Sequence, residues 1–110
     1  MKDVLKRINP TQLIFWCEGC KTHHYVQHEG VPKWDWCGSL QRPTVRPSIL
    51  CRGTVPITDE EHTILMNGGL VDPKPTVCHM MIRDGQIEYL GDCTHALAGR
   101  TVAMTPFEEV

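Results

Sequence analysis

The amino-acid sequence predicts a small, mainly β domain with one or two short helices. Eight Pro and nine Gly among 110 residues favour a loop-rich fold. The apolar runs are short, and several alternate with polar residues as half-buried strands do. Asp84-Gly85, between two such runs, is a strong hairpin signal. A chain of this length is expected to form one domain, 1–110, with its core over about 12–105.

The first half of the chain is predicted to contain short strands. The segment "QLIFW" leads into the first cysteine, and Tyr25 to His28 is its candidate return strand. The segment "WDW" at 34–36 alternates aromatic and polar residues, which favours a strand with one buried face. In "RPTVRPSILCRG", the two prolines restrict a strand to a sheet edge or to residues after Pro47, because Pro cannot donate to a ladder.

A single helix is predicted over Asp59 to Asn67. Thr58 and Glu61 have the spacing of a capping box, and the glycines at 68 and 69 supply a C-terminal stop. His62 on this helix is expected to be solvated or packed. Three apolar residues are available for packing: Ile57, Ile64 and Leu65.

The Asp84-Gly85 turn fixes the register of the predicted hairpin. The expected pairs are Arg83 with Gln86, Ile82 with Ile87, Met80 with Tyr89 and Cys78 with Gly91. Since alternate residues share a face, one face is apolar and carries Cys78, Met80, Ile82, Ile87 and Tyr89. The opposite, wetter face carries His79. The tail from Arg100 to Val110 is predicted to be a final short strand or a fraying arm.

The cysteines predict a zinc site. Cys17-Glu-Gly-Cys20 has the spacing with which a tight turn directs two sulfurs at one cation. Cys78 lies on the apolar hairpin face, and two more residues of strand place Cys93 on that face, diagonal to Cys78. Four thiolates repel one another without a cation, so we expect zinc bound by Cys17, Cys20, Cys78 and Cys93. The zinc would staple a domain with few large apolar residues.

Two other interpretations of Cys17 and Cys20 remain open, a redox dithiol and inert buried cysteines. A thioredoxin-like dithiol lies at the start of a helix, whereas "KTHHYV" follows here. The fourth ligand is open as well, between Cys93, His95 and His79. Cys37 and Cys51 have no partner at metal-ligand spacing and are expected to be small buried residues.

Four histidines raise the hypothesis of a second metal or of acid–base chemistry: His23, His24, His79 and His95. Asp92 is the one obvious carboxylate nearby, and its alternative role is to cap the turn that follows. The sequence suggests no Ser-His-Asp arrangement, phosphate-binding glycine loop or His-Glu-x-x-His motif.

Charge and hydropathy limit the classes of partner. The formal net charge is −2, which gives no global attraction to nucleic acid or anionic lipid. The N-terminus has no apolar run typical of a signal peptide, and no stretch approaches the ~20 apolar residues of a membrane span. We therefore expect a cytosolic protein with reduced thiols. Three tryptophans could stack bases but are expected mainly to pack: Trp16, Trp34 and Trp36.

Four segments together resemble a family of small uncharacterised proteins of tailed phages and prophages, some of them labelled ammonia monooxygenase. The segments are "FWCEGCKTHH", "WDWCGSLQRPTVRPSIL", "ITDEEHTILMNGG" and "VCHMMIRDGQIEYLGDCTHALAGRTV". The resemblance covers roughly Leu13 to Pro106. It implies a phage protein in the bacterial host cytoplasm, with a metal-binding fold related to zinc ribbons or treble clefs. The family's Cys-His step matches Cys78 and His79, which makes His79 a ligand candidate against the register argument.

These observations favour a non-enzymatic zinc module that binds another macromolecule, and the expected partner is a host or phage protein. A homo-oligomer is compatible with this prediction. One alternative is a small metal-dependent hydrolase that uses a zinc-bound water. Another is a nucleic-acid-binding zinc ribbon, which requires the scattered basic residues to cluster in space.

Overall fold

Residues 2–110, which the computed structural model describes, form two antiparallel β-sheets. The first sheet contains β1, β2 and β3, in that order: Lys6–Arg7, Gln12–Cys17 and Thr22–Gln27. The second contains β4 to β8, also in sequence order. These strands are Asp35–Trp36, Val45–Thr54, Pro75–Arg83, Gln86–Tyr89 and Thr101–Ala103. The prediction of a mainly β fold is confirmed.

The strands β2 and β3 enclose the Cys-x-x-Cys turn. Leu13, Phe15 and Cys17 point inward from β2 and are fully buried, as the alternation predicts. The return strand begins at Thr22 rather than at Tyr25. Lys21 has a φ of 55° and donates its N–H to the carbonyl of Cys17 at 2.8 Å, so the chain enters β3 directly after the turn.

The β6–β7 hairpin has the predicted register from Arg83↔Gln86 to Met80↔Tyr89. Asp84 and Gly85 both have positive φ, 49° and 78°, as a two-residue type I′ turn requires. The apolar face is buried as predicted. The pairing does not extend to Cys78 and Gly91, because β7 ends at Tyr89 and the chain then turns away.

The strand β5 differs from its prediction. It begins at Val45, before Pro47, and lies between β4 and β6. Its ladder with β6 is irregular between Val45 and Ile49. This bulge accommodates Pro47, which has no N–H to contribute to a ladder.

The helix α1, Asp59–Met66, confirms the predicted helix. Both capping-box bonds are present, from Glu61 N–H to Thr58 Oγ1 and from Thr58 N–H to Glu61 Oε1, each 3.1 Å long. However, α1 buries no residue. Its expected packing residues are between 42% and 49% exposed: Ile57, Ile64 and Leu65. The helix therefore lies on the surface, between β5 and β6 in the chain, and His62 is exposed.

Buried residues from both sheets form one hydrophobic core. The core also includes Val4 and Leu5, whose N–H groups both approach the carbonyl of Leu40. The tail forms β8, as predicted, and ends in a short 3-10 turn over Phe107–Glu109. Within residues 2–110, no helix has both the length and the apolar character needed to cross a bilayer.

Candidate functional site

Three polar side chains form a hydrogen-bonded chain on the outer face of the second sheet. Ser48 Oγ lies 3.0 Å from His79 Nε2. His79 Nδ1 lies 3.1 Å and 3.3 Å from the two carboxylate oxygens of Asp92. The order of hydroxyl, imidazole and carboxylate is that of a catalytic triad. When Asp92 accepts the Nδ1–H, the Nε2 lone pair faces the hydroxyl of Ser48.

The pairing of β5 with β6 brings the first two residues together. Leu50 is the register partner of His79, so these two side chains share a face of the sheet. Ser48 precedes Leu50 by two residues at the end of the bulge and reaches the same face, where its hydroxyl meets the imidazole. The indole N–H of Trp34 donates to the carbonyl of Ser48 at 3.2 Å and holds this part of the backbone.

The loop after β7 delivers Asp92 by bonding to the edge of β6. Cys93 Sγ accepts from the His79 N–H and donates to the His79 carbonyl, both at 3.2 Å. Thr94 bonds in the same way to the N–H and carbonyl of Val77, at 3.0 Å and 2.9 Å. Since Asp92 immediately precedes Cys93, these bonds fix its carboxylate beside the His79 ring.

The sequence did not reveal this triad, and the expectation of no Ser-His-Asp arrangement is wrong. The hairpin register already placed His79 on the solvent-facing side, and Asp92 was noted as a nearby carboxylate. No sequence signal points to Ser48, which lies 31 residues before His79. Its position depends on the β5–β6 pairing, which the prolines of β5 obscured.

A second group of side chains lies on the opposite, core-facing side of the same strands. The ligand atoms of its four members all lie within 4.8 Å of one another: Cys17, Cys20, Cys78 and His95. The sulfurs of Cys17 and Cys78 are 3.7 Å apart, and His95 Nε2 is 3.4 Å from Cys78 Sγ. In a tetrahedral zinc site with Zn–S bonds of about 2.3 Å, neighbouring sulfurs are about 3.8 Å apart. The donor set and its spacing therefore fit a metal ion.

This group joins both sheets. Cys17 ends β2, Cys20 follows in the turn, Cys78 belongs to β6, and His95 lies in the loop after β7. The N–H of Cys20 also points at Cys17 Sγ, 3.4 Å away, as backbone amides do in tight Cys-x-x-Cys turns. A metal held here would link the two sheets and the loop that carries Asp92.

The glycine of the Cys-x-x-Cys turn has a steric role. A Cβ on Gly19 would lie 2.3 Å from the ring of His95, so only glycine leaves room for the imidazole. The Leu97 N–H lies 3.2 Å from His95 Nδ1 and fixes the ring. Ligation through Nε2 would leave the proton on Nδ1, so this amide contact has to lengthen when a metal binds.

The thiols of this group perturb each other's ionisation. Hydrogen bonding with Cys78 lowers the pKa of the Cys17 thiol to about 3, and the same contact raises the pKa of Cys78. Burial raises the pKa of Tyr89, whose hydroxyl lies 3.2 Å from Cys17 Sγ. The group thus concentrates negative charge on Cys17, which is the state that a cation would stabilise.

Three of the predicted ligands belong to this group, and the fourth does not. Cys93, expected over Cys78, instead bonds to the main chain of His79, because the chain turns after Tyr89 rather than continuing as a strand. His95, one of the alternatives, takes that position. His79 itself lies on the other face with Ser48, as the register argument required.

The remaining histidine candidates lie on β3. His23 stacks on Phe107, with 5.9 Å between ring centroids, and takes no part in either group. His24 faces the thiols. Burial lowers its pKa, but the favourable interaction of the imidazolium with the nearby sulfurs of Cys17 and Cys51 outweighs burial and raises it to about 11. No hydrogen-bond partner for its buried Nε2 occurs among the described residues.

The two leftover cysteines are less buried than expected. Cys37 is exposed, and its sulfur accepts a hydrogen bond from the Thr44 N–H at 3.2 Å. Cys51 is half-buried and is the register partner of Cys78. Its sulfur approaches His24, which sequence spacing alone could not indicate.

Comparison with known proteins gives a match to a family model. Neither the curated proteins nor the solved structures contain a match to the chain. The matching model covers residues 2–90 and is described as bacterial ubiquitination-like system serine protease (BubE). That description names neither a phage nor an oxygenase. The match spans most of the sequence, and the chain therefore belongs to the BubE family.

Proposed function

We propose that this chain is a serine hydrolase that cleaves acyl bonds in proteins. Ser48 is the nucleophile, His79 the general base, and Asp92 the carboxylate that orients His79. The observation that carries the proposal is the continuous hydrogen-bonded chain from Ser48 Oγ through His79 to Asp92. The description of the family as a serine protease supports the same assignment.

Each residue has a defined part in the reaction. Ser48 Oγ attacks the substrate carbonyl carbon while its proton passes to His79 Nε2. Asp92, bonded to Nδ1–H, stabilises the imidazolium that forms. His79 then gives the proton to the leaving group, the acyl group remains on Ser48, and a water activated by His79 hydrolyses that ester. The cycle restores the enzyme and consumes one water.

The family description also suggests the class of substrate. It names a ubiquitination-like system. In ubiquitin-like chemistry, the carboxyl terminus of a small modifier protein is joined to another group. We therefore propose that the acyl side of the substrate is the C-terminal tail of such a modifier, cleaved from a precursor or from a conjugate.

We further propose that the group of three cysteines and one histidine binds zinc and that this zinc is structural. Thiolates and imidazole are ligands that zinc accepts in closed four-coordinate sites. Cys17, Cys20, Cys78 and His95 supply all four positions, which leaves none for a reactive water. This argues against the metal-dependent hydrolase, the alternative that needs a zinc-bound water. Hydrolysis then depends on Ser48, and the metal maintains the fold around it.

The non-enzymatic binding module, the phage origin and the nucleic-acid-binding ribbon stay predictions. The indole N–H groups of the three tryptophans bond within the fold: Trp16 to Glu18, Trp34 to the carbonyl of Ser48, and Trp36 to the carbonyl of Ser39. A protein partner remains part of the proposal, as the substrate.

Labelling with diisopropyl fluorophosphate tests the serine assignment. We expect a single adduct, located on Ser48 by tandem mass spectrometry. Ser48→Ala should abolish labelling. Ser39→Ala is the matched control, because residue 39 is the only other serine in the sequence, and it should label normally. Labelling that survives Ser48→Ala, or no labelling of the folded wild-type protein, contradicts the proposal.

A further inference from the structure

The strand that carries Ser48 has an incomplete neighbour on one side. The strand β4 pairs only with Val45 and Arg46, whereas β6 pairs with β5 as far as Thr54. From Ser48 to Thr54, therefore, the β4 side of β5 has no paired strand in the part of the chain that the structure describes. We call this side of β5, from Ser48 to Thr54, the open edge.

The hydrogen-bond alternation of the sheet identifies which backbone groups face the open edge. The N–H and carbonyl of Val77 both bond to Thr94, on the β7 side of β6. The next residue, Cys78, therefore bonds toward β5, where its partner is Cys51. Leu50 and Arg52, on either side of Cys51, consequently direct their N–H and carbonyl groups away from β6, toward the open edge.

An independent contact agrees with this assignment. The Ser48 carbonyl, two residues before that of Leu50, accepts the indole N–H of Trp34, which comes from the β4 side. The side chains along the edge leave it accessible, since Leu50 is 45% exposed and Arg52 is also exposed. A strand added there would lie about 4.8 Å from β5 and would run beside the nucleophile.

We propose that the open edge of β5 binds the acyl-side segment of the substrate as an extended additional strand. Leu50 and Arg52 supply main-chain hydrogen bonds, and the strand leads the scissile carbonyl to Ser48. This inference rests on the proposed hydrolase function and specifies how its substrate is held. Because main-chain bonds are independent of side chains, they suit an unfolded polypeptide tail.

A series of phosphonate probes tests this proposal without the natural substrate. The probes are acetyl-alanyl diphenyl phosphonates with one to four alanine residues, and diisopropyl fluorophosphate serves as the probe without a peptide. We expect the second-order rate constant for labelling Ser48 to rise with length, by about tenfold between the shortest and longest peptides, since two or more hydrogen bonds are added.

Leu50→Pro removes an N–H that faces the open edge and leaves the β5–β6 bonds in place. It should abolish most of the gain with length, measured as the ratio of each peptide probe's rate constant to that of diisopropyl fluorophosphate on the same variant. Leu50→Ala, which keeps the N–H, is the matched control and should retain the gain. If Leu50→Pro does not fold, single N-methylation of each probe amide tests the same point on wild-type protein. Alternate amides should then be sensitive.

The outcomes separate the two proposals. Absence of labelling by diisopropyl fluorophosphate refutes the hydrolase and this inference with it. Labelling of Ser48 by that probe, but with rates independent of peptide length and of N-methylation, overturns only the open-edge proposal. A wild-type dimer in size-exclusion chromatography with light scattering, converted to a monomer by Leu50→Pro, would assign the edge to a second copy and also overturn it.

Discussion

Consecutive residues of one strand serve the two groups of this molecule. Cys78 faces the core with two other thiols and His95, whereas His79 faces outward with Ser48 and Asp92. The strand alternation keeps the two chemistries apart although they are adjacent in sequence. One strand thus supplies a residue to the proposed zinc site and, with the next residue, the proposed general base.

The two groups also differ in exposure. Cys17 and Cys78 are at most 2% exposed, whereas the side chains of His79 and Asp92 are 25% and 58% exposed. An exposed carboxylate is screened by water and holds its partner weakly. Burial therefore does not fix the geometry of the triad. The bonds from Cys93 and Thr94 to β6 have to do so, together with His95, which belongs to the proposed zinc site and lies in the same loop.

The largest expected effect on activity comes from removing Ser48, which belongs to the triad on the outer face. Ser48→Ala should lower kcat/KM for an activated ester such as p-nitrophenyl acetate by about 10⁴-fold, or about 5.5 kcal/mol of transition-state stabilisation, because the nucleophile is lost. The thermal midpoint and the metal content should match wild type, since Ser48 belongs to neither the core nor the thiol group.

These quantities are measured by steady-state kinetics, differential scanning calorimetry and native mass spectrometry. Ser39→Ala is again the control and should keep full activity. A Ser48→Ala protein that loses metal or unfolds would show that the triad and the thiol group depend on each other. The contrast drawn here between the two groups would then be wrong.

Cys78→Ser should disrupt the group of three thiols and His95 on the core-facing side. Through that group, it should also disturb the triad on the outer face. We expect loss of the single zinc and a fall of about 3–5 kcal/mol in the free energy of unfolding, as when a buried structural ligand is removed. Activity should fall as well, because His79 follows Cys78 directly. Urea denaturation and metal analysis check this. Cys37→Ser, at an exposed cysteine outside the group, should leave the zinc content, the free energy of unfolding and the activity unchanged. Equal metal content in the Cys78→Ser variant and wild type contradicts the proposed zinc site.

The sequence predicted the group of thiols on the core-facing side better than the triad on the outer face. Short-range signals determine the former: the Cys17-x-x-Cys20 spacing and the Asp84-Gly85 turn that turns Cys78 inward. The triad depends on a long-range pairing between β5 and β6, separated by the surface helix, and on a proline-containing bulge. The fourth member of the group differs from the predicted one for a local reason. A strand that continued past Tyr89 would bring Cys93 rather than His95 to Cys78, but β7 ends at Tyr89.

Gly19→Ala tests the proposed zinc site more finely, because it disturbs the group of three thiols and His95 without removing any of the four side chains. The added methyl would overlap the His95 ring, so we expect a loss of about 1–3 kcal/mol of stability and weaker retention of zinc against a chelator. Gly91→Ala is the control, because no atom lies within 4 Å of the position that a Cβ on Gly91 would occupy, and it should shift stability by less than about 0.5 kcal/mol. Equal zinc-release rates for wild type and Gly19→Ala would show that His95 is not a ligand.

Cys93 connects the two groups and should have the smallest effect. Cys93→Ala removes the sulfur that bonds to the His79 N–H and carbonyl, and each such bond contributes about 1 kcal/mol. We expect kcat to fall about tenfold with little change in KM, because Asp92 loses its fixed position beside the base rather than any contact with substrate. Cys93→Ser, which keeps a donor and an acceptor, should recover part of the rate. Zinc stoichiometry by native mass spectrometry should stay at one per chain in both variants. Loss of zinc from Cys93→Ala would instead indicate that Cys93 is a metal ligand, as the hairpin register predicts. Cys93 would then no longer be the residue that positions the triad.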